Sequence, residues 1–303
     1  ALYEKRLSQY TGRDGRPAHG LMMTVGDKTG RMAAVAWDKA LDYHSFLVED
    51  RIYLFTARVN EYRGQLQLVV SDIQEMAPAQ VDLTDYLPSA PFPREVMWRR
   101  LKDVFETIQQ PHLRSLLAEI FDLPTQKKFM LAPGGREVHH AYVGGLLEHT
   151  LEVVAYAETM VAEQGAYLNR DLLITACILH DIGKIEEYDL HSLSFQVTDK
   201  GKLLGHLQMG AQMVTTAAAR IPNFPAALRL ELEHMLLSHH GLPEWGAVQQ
   251  PKTINAMALH LADLTSGRLA QFGRILAAHA SANGKWSSFD RFLGRSIFVS
   301  DRP

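Results

Sequence analysis

Histidine and aspartate residues with the spacing of a metal site are the most informative feature of this sequence. His180 and Asp181 are adjacent in the segment HDIGK, with His149 upstream in LLEHT and Asp263 downstream in HLADL. Each residue continues a stripe of apolar residues three, four or seven positions away, which is the spacing of one helix face. We therefore predict that all four side chains point into a helical interior.

The two aspartates need a compensating positive charge if they are buried in a helical interior. An ionised carboxylate that is buried without a partner costs several kcal/mol, so Asp181 and Asp263 beside imidazoles indicate a cation or a close basic group. A divalent metal ion supplies this charge most simply. A mixture of imidazole and carboxylate suits manganese, iron, zinc or nickel better than calcium, whereas magnesium takes mostly oxygen ligands.

Further histidines could form a second metal position that shares Asp181. His206 and His239 each continue an apolar stripe along their own helical segment. The adjacent His240 could replace or join His239, because the sequence does not fix which imidazole turns inward. For any one of these histidines, a hydrogen-bonded core residue is the alternative interpretation. The set as a whole favours metal binding.

The chain has an arrangement that resembles the HD superfamily of metal-dependent phosphohydrolases, formed by His149, His180, Asp181 and Asp263. More narrowly, the chain resembles the YhaM-type 3'-5' exoribonucleases in the segments HHAYVGGLLEHTLEV and LHDIGK, in the amino-terminal GDKTGRMAAVAWD and in the tail GKWSSFDRFLGRSIF. Lys184, His206 and His239 resemble the extra positions of the two-metal branches. The resemblance implies a metal-dependent phosphodiesterase.

One departure from the superfamily limits the expected number of ions. Some HD phosphodiesterases that bind three metals carry a glutamate one helical turn before the first histidine, where this chain has Gly145. We therefore expect one or two divalent ions. Manganese is the first expectation, with iron, nickel, cobalt, zinc and magnesium as alternatives.

The predicted catalytic residues are Asp181 and Lys184. Metal ions held by the predicted ligands would lower the pKa of a bound water and clamp a phosphate oxygen for in-line attack. Lys184 lies one turn from Asp181, so we predict that it stabilises the charge that develops on the phosphoryl oxygens. The alternative is an ion pair between Lys184 and Glu186 or Glu187.

The amino-terminal part of the chain predicts a small barrel. Residues 1–76 alternate and break like five antiparallel strands with a helix after the third, and the turn at Arg63 and Gly64 joins the last two. This order is typical of an OB-fold. A proline-rich linker over 77–93 and an all-α HD helical bundle over 94–303 follow. The fold class is an α+β two-domain protein with an amino-terminal β-barrel.

Helices are predicted throughout the carboxy-terminal part. Asp171 is the predicted cap of the helix that carries HDIGK, and Ser194 to Lys202 is predicted to form a short turn or ribbon. The predicted helices lie near 94–110, 112–121, 125–131, 140–163, 171–182, 205–220, 225–240 and 252–277.

Overall composition limits the way in which the chain can bind nucleic acid. With a net charge of -3 and a pI near 6.6, the whole surface is not dedicated to nucleic acid, so any RNA contact must be a local groove. The single Cys177 excludes an internal disulfide. No apolar run reaches the length of a membrane span and the start lacks a signal peptide, which predicts a cytoplasmic enzyme without a membrane partner. An oligomer is possible.

Candidate nucleic-acid contacts lie in two places. OB-folds stack bases on aromatic rings and follow the phosphates with basic side chains. The barrel candidates are Trp37, Arg58, Tyr62 and Arg63, and the candidates before the first metal ligand are Lys127, Lys128, Arg136, His139 and His140. The alternatives are a ring in the barrel core for Trp37 and a solvated face for the basic cluster.

These features favour a 3'-5' exoribonuclease that releases nucleotides from single-stranded RNA, or from DNA. The alternative is a nucleotide or cyclic-nucleotide phosphohydrolase in which the OB domain is regulatory. A third class, an RNA-binding protein without catalysis, is disfavoured, because a site that had lost its catalytic function would not need two carboxylates on inward faces.

Overall fold

The computed structural model describes residues 1–12, 15–76, 81–136, 140–279 and 284–299. Its contacts divide the chain into two units. The first unit is Ala1–Pro88 together with Leu190–Gln196, and the second is Ser89–Asp189 together with Val197–Pro303. The first unit thus runs past the predicted boundary at residue 76 and includes a short segment from the helical half of the sequence.

The first unit is built on one five-stranded sheet. Its strands are β1 (Leu2–Thr11), β2 (Pro17–Asp27), β3 (Gly30–Ala36), β4 (Tyr53–Tyr62) and β5 (Gln65–Glu75), and helix α1 (Ala40–Phe46) follows β3. The strand order is β1-β2-β3-β5-β4, in which only β3 and β5 are parallel. The predicted five strands with a helix after the third are confirmed.

Alternation along the strands builds the core of this unit. On β2, Leu21, Met23 and Val25 are buried, because every second side chain of a strand points to the same face. The turn between β4 and β5 is tight, since Arg63 and Gly64 both have positive φ angles, of 53° and 79°. Two such residues form the hairpin turn whose twist matches that of the flanking strands.

The second unit is helical. Its helices are α2 (Arg94–Thr107), α3 (Pro111–Ile120), α4 (Leu123–Leu131), α5 (Gly145–Gln164), α6 (Arg170–Leu179), α7 (Lys184–Glu187), α8 (Asp199–Ala218), α9 (Ala226–Ser238) and α10 (Ile254–His279). The helix α6 is buried from Leu172 to Leu179 and lies at the centre of the unit. Among the described residues, no helix is long and apolar enough to cross a membrane.

The cap of α6 differs from the prediction. The side chain of Asn169, and not that of Asp171, accepts the hydrogen bond from a backbone N–H of the first turn, that of Leu172 at 3.2 Å. Asp171 instead accepts from the backbone N–H groups of Gln109 and Gln110, at 2.8 and 2.7 Å. The predicted cap was wrong because Asp171 holds the approach to α3 in place.

Helix α8 begins earlier than predicted and is kinked. The hydroxyl of Thr198 accepts from the N–H of Gly201 at 2.9 Å and caps a helix that starts at Asp199. The predicted ribbon over 194–202 is therefore wrong from Asp199 onward. Gly205 interrupts the helix with a φ of 72° and a ψ of 157°, and His206 is the first residue after the kink.

Candidate metal centre

The predicted metal ligands converge inside the second unit. His149 lies on α5, and His180 and Asp181 follow the end of α6. The remaining residues come from three further helices: His206 on α8, His239 and His240 at the end of α9, and Asp263 on α10. The side chains of His149, His180, Asp181 and His239 are almost completely buried.

One oxygen of Asp181 faces a first group of ligands. The Nε2 atom of His149 lies 3.1 Å from the Nε2 of His180 and 3.1 Å from Oδ1 of Asp263. The Oδ2 atom of Asp181 lies 3.2 Å from the Nε2 of His180 and 3.6 Å from that of His149. These four side chains form a compact set of two imidazoles and two carboxylates.

The other oxygen of Asp181 faces a second group. Its Oδ1 atom lies 3.4 Å from the Nε2 of His206 and 3.7 Å from the Nε2 of His239. The Nε2 of His240 lies 3.3 Å from that of His206, so both adjacent histidines reach this group. Asp181 is thereby placed to bridge two positions, and His240 joins His239 rather than replacing it.

Backbone carbonyls fix the orientation of three of these imidazoles. The Nδ1 atoms of His180, His239 and His240 lie 2.7, 2.8 and 2.9 Å from the carbonyl oxygens of Cys177, Leu236 and Trp245. A carbonyl only accepts, so each Nδ1 carries a proton, and in the neutral form of each ring the lone pair is on Nε2. These lone pairs point toward the two groups described above.

Side chains orient the other two imidazoles. The Nδ1 of His206 lies 3.0 Å from a carboxylate oxygen of Glu187. The hydroxyl of Ser266 donates to Glu152 at 2.6 Å and therefore accepts from the Nδ1 of His149, at 2.9 Å. The Nε2 atoms of both rings are again left as acceptors.

The residues fit a pair of divalent cations. Oδ1 of Asp181 and Nε2 of His239 are buried polar atoms that lack a hydrogen-bond partner among the described residues. Their nearest described neighbours are imidazole nitrogens and carboxylate oxygens, and an unmet buried acceptor is costly. Metal coordination would satisfy both atoms. Among the described residues, four overlapping sets have ligand atoms that all lie within 4.8 Å of one another: His149, His180 and Asp263; His180, Asp181 and His239; His206, His239 and His240; and His140, His149 and Glu152.

Protonation is disfavoured at three of the converging imidazoles. Burial lowers the pKa of His149 and of His239, and burial together with the neighbouring His239 lowers the pKa of His240 to about 3. These rings are therefore neutral near pH 7. Burial alone would raise the pKa of Asp181, but Lys184 and His180 hold it well below its usual range. Burial alone would lower the pKa of His180, but the neighbouring Asp181 raises it, so a metal ion that binds there would displace a proton from this ring.

Lys184 lies against the bridging aspartate. Its Nζ atom donates to Oδ2 of Asp181 at 2.6 Å and to the carbonyl oxygen of Gly134. The alternative ion pair with Glu186 or Glu187 is wrong, since Glu186 pairs with Lys128 and Glu187 with His206. The ammonium is buried and has its positive charge directed at the centre.

The glycine of HDIGK permits a close approach of two helices. A Cβ atom on Gly183 would lie 2.1 Å from the carbonyl oxygen of His206 and 2.8 Å from the nitrogen of Gly210. Any side chain at this position would push α8 away. Gly183 therefore allows α8 to bring His206 next to Asp181.

Ser266 and Glu152 were not among the predicted site residues. Ser266 lies three positions after Asp263, and Glu152 lies three positions after His149. Residues three apart share a helix face, so this spacing was the available signal. When a hydroxyl and a carboxylate share an inward helix face with a metal ligand, they indicate residues that orient that ligand.

Removing the hydroxyl of Ser266 is expected to weaken metal binding. Without its acceptor, the Nδ1–H of His149 loses its fixed orientation, and losses of this kind reduce metal affinity roughly 10–100-fold. Titration of the metal-free Ser266→Ala variant with Mn²⁺ measures the effect. Thr265→Ala is the matched control, because its hydroxyl bonds only the helix carbonyl of Leu261. Equal affinities of the two variants would contradict the role assigned to Ser266.

The barrel candidates for nucleic-acid binding lie on the surface of the first unit. Trp37 is 43% exposed and Tyr62 is 55% exposed. The ring of Trp37 packs edge-on against Tyr10 and lies over Gly20, where a Cβ atom would come within 2.7 Å of the ring. Trp37 is thus not a core ring, contrary to the alternative. Arg58 and Arg63 are also exposed.

The basic candidates before the first ligand differ among themselves. Lys127 and Arg136 are exposed, and Lys128 forms an ion pair of 2.7 Å with Glu186. His140 is buried, with its Nε2 atom 3.4 Å from Glu152 and its ring beside His149. Its assignment to a path for an RNA backbone needs correction, because the ring supports the metal centre from inside. His139 lies outside the described residues.

Comparison with protein families gives two matches along the chain. The model of the HD domain matches residues 146–267, which include His149, His180, Asp181 and Asp263. The model of an OB-fold nucleic acid binding domain, of the tRNA anticodon-binding type, matches residues 16–76.

Comparison with curated proteins gives relatives along most of the chain. The protein named 3'-5' exoribonuclease YhaM from Oceanobacillus iheyensis is 31% identical over 276 residues, which is 91% of this chain and 85% of the relative. Proteins of the same name from a Geobacillus species and from Bacillus subtilis are 30% and 28% identical, also over 91% of this chain, and are themselves covered to 83% and 86%.

Proposed function

Because the chain belongs to the YhaM family and is a hydrolase of the HD phosphohydrolase type, we propose that it is a metal-dependent 3'-5' exoribonuclease. Its substrate is single-stranded RNA, from which it releases nucleotides at the 3' end. The observation that carries the metal dependence is the position of Asp181, whose two oxygens face two separate groups of ligands. A carboxylate in this position would be able to contribute to both metal positions of a two-metal phosphoesterase.

The ligands divide into two sets around Asp181. His149, His180, Asp181 and Asp263 would hold one divalent ion, and Asp181, His206, His239 and His240 would hold the other. Bound ions supply a nucleophilic water at neutral pH and neutralise charge on the phosphate oxygens. Manganese is the ion that we propose first, since imidazole and carboxylate ligands both suit it.

Three side chains complete the catalytic arrangement. Ser266 fixes the ring of His149, and Glu187 fixes that of His206, so that both imidazoles keep their Nε2 lone pairs directed inward. Lys184 holds Asp181 in its ionised form and directs a positive charge toward the scissile phosphate. Together they keep the centre organised before substrate arrives, which lowers the cost of reorganisation during the reaction.

The barrel would contribute RNA affinity. Its exposed Trp37 and Tyr62 offer faces for bases, and Arg58 and Arg63 offer positive charge to the backbone. The family match of this segment to a nucleic-acid-binding OB-fold supports that role. We propose single-stranded RNA as the partner and retain single-stranded DNA as a competitor to be tested.

A substrate panel tests this function. The purified protein is incubated with single-stranded RNA and DNA, labelled at the 5' end, and with free nucleotides and cyclic nucleotides, in Mn²⁺ or in chelator. We expect the labelled RNA to shorten in single-nucleotide steps from the 3' end, only with the metal. Hydrolysis of nucleotides alone would favour the phosphohydrolase alternative. An RNA blocked by a 3' terminal phosphorothioate linkage is the control for polarity, since its shortening must be delayed.

A further inference from the structure

A cavity of about 430 Å³ adjoins the metal centre within the second unit. Asp181, Lys184 and Asp263 lie in its wall, together with Trp245, Arg268 and Phe292. Sites that bind small molecules measure roughly 300–1,000 Å³ and combine apolar rings with a few polar groups. The volume and the lining therefore suit one unit of a larger substrate, next to the residues assigned to the reaction.

The first aromatic ring of the cavity is fixed by the loop that carries His240. The backbone carbonyl of Trp245 holds the Nδ1–H of His240 at 2.9 Å. The indole of Trp245 lies beside the ring of His260, which in turn donates to the carbonyl of His239 at 2.7 Å. Gly241 leaves room for His260, since a Cβ atom there would lie 2.2 Å from that ring. The position of the indole is thus tied to that of two metal ligands.

The second aromatic ring comes from the tail of the chain. Oδ1 of Asp290 accepts from the backbone N–H groups of Phe292 and Leu293, both at 2.9 Å, and the N–H of Gly294 bonds the carbonyl of Asp290 at 2.8 Å. These bonds close a tight turn. The turn places Phe292 in the cavity wall, where its ring remains 45% exposed although a large apolar side chain favours burial.

The same aspartate is connected to a cation in the cavity. The amide of Gln271 is buried and donates to Oδ1 of Asp290 at 3.1 Å, while its oxygen accepts from Nη1 of Arg268 at 3.3 Å. Arg268 follows Asp263 by just over one helical turn on α10. The guanidinium therefore stays in the wall that also carries Phe292, and its remaining N–H groups suit phosphate or ribose oxygens.

We propose that this cavity binds the 3'-terminal nucleotide of the RNA. The terminal base lies against Trp245 and Phe292, and Arg268 holds the phosphate or ribose of the same nucleotide. This inference rests on the proposed exoribonuclease function. It adds that recognition of the terminal residue uses stacking, which tolerates all four bases, and that the tail around Asp290 is part of the substrate site.

Paired RNA substrates test the proposal. One is an ordinary single strand, and the other is identical except that its 3'-terminal residue is abasic. We expect wild-type protein to remove the abasic residue about tenfold more slowly, and Phe292→Leu to slow removal of the ordinary residue by about five- to tenfold. For the abasic strand, Phe292→Leu is expected to add no further loss, because the base that would contact the ring is already gone.

A second variant separates the roles of ring and cation. Arg268→Gln is expected to slow both substrates by the same factor, of about tenfold, since the contact of Arg268 does not involve the base. Phe289→Leu is the matched control, because Phe289 is a tail residue that is 67% exposed and is not among the residues that line the cavity. Melting temperature and bound metal are measured for each variant to confirm that the fold and the centre are intact.

The outcomes divide clearly between the two proposals. Two results would overturn the terminal-nucleotide site alone. In the first, Phe292→Leu slows removal of the abasic residue by the same factor as removal of the ordinary residue. In the second, wild-type protein degrades the abasic strand as fast as the ordinary one. A wild-type protein that shortens neither RNA would overturn the exoribonuclease function, and the terminal-nucleotide site with it.

Discussion

Asp181→Asn is expected to reduce phosphodiester hydrolysis by roughly 10³-fold or more. The carboxylate of Asp181 faces both groups of histidines and accepts from Lys184. An amide keeps the shape but loses the negative charge, so both metal positions and the orientation of Lys184 are weakened together. Preorganised charges of this kind supply much of the rate enhancement in such sites. Initial rates on labelled RNA at saturating Mn²⁺ give the measurement.

The choice of substitution and control matters for this experiment. Removing the whole side chain would leave the buried ammonium of Lys184 without its partner, which costs about 3–5 kcal/mol and could unfold the unit. Asn retains a hydrogen-bond acceptor for Lys184 and so reduces that cost, and the melting temperature of the variant shows whether the unit remains folded. Asp199→Asn is the control, because its carboxylate is 96% exposed at the start of α8. Hydrolysis at the normal rate by Asp181→Asn would show that the site is wrongly assigned.

Removal of metal is expected to have the second largest effect, on stability as well as on activity. Ions that bind only the folded chain stabilise it by about 4 kcal/mol when their concentration is 1,000 times the dissociation constant. For a helical unit of about 200 residues, this corresponds to a melting temperature that falls by about 10 °C on chelation. The fall arises because the lone pairs of His180, His206 and His239 again converge without a cation.

Thermal melting with Mn²⁺ and with chelator measures this effect. Addition of Mn²⁺ in excess of the chelator must restore both the melting temperature and the hydrolysis of RNA. The Asp181→Asn variant serves as the internal control, since its melting temperature should respond much less to the metal. A wild-type melting curve that is the same with metal and with chelator would contradict a metal centre inside the bundle.

Helical spacing was sufficient to predict that the candidate ligands lie on inward helix faces. His149, His206, His239 and Asp263 each continue an apolar stripe, and the helices that carry them do turn those faces inward. Their convergence on Asp181 could not be read from spacing, because it depends on how separate helices pack. The resemblance to the HD superfamily supplied that part of the prediction.

Other features of the second unit could not be predicted from local patterns. Asp171 has the chemistry of a cap, but a distant backbone at Gln109 and Gln110 competes for its carboxylate. His140 is polar and stands next to basic residues, yet the loop after α4 folds it against Glu152. In both cases a tertiary contact decides the role of a side chain whose local context suggested another.

The cavity beside the metal centre shows the same limit. Phe292 lies in a tail that has little periodicity, and its position follows from the turn that Asp290 closes. Trp245 lies in the short segment between α9 and α10, where Gly241 and Gly246 have positive φ angles and set the path of the backbone. The sequence could not place either ring next to Asp263, because their positions depend on how α10, the segment that carries Trp245 and the tail that carries Phe292 pack together.

Anomalous diffraction from crystals grown with Mn²⁺ is the most direct test of the metal centre. We expect two peaks, one on each side of Asp181, the first among His149, His180 and Asp263 and the second among His206, His239 and His240. A difference map recorded at the manganese edge that has no peak within coordination distance of Asp181, at saturating metal, would contradict the account.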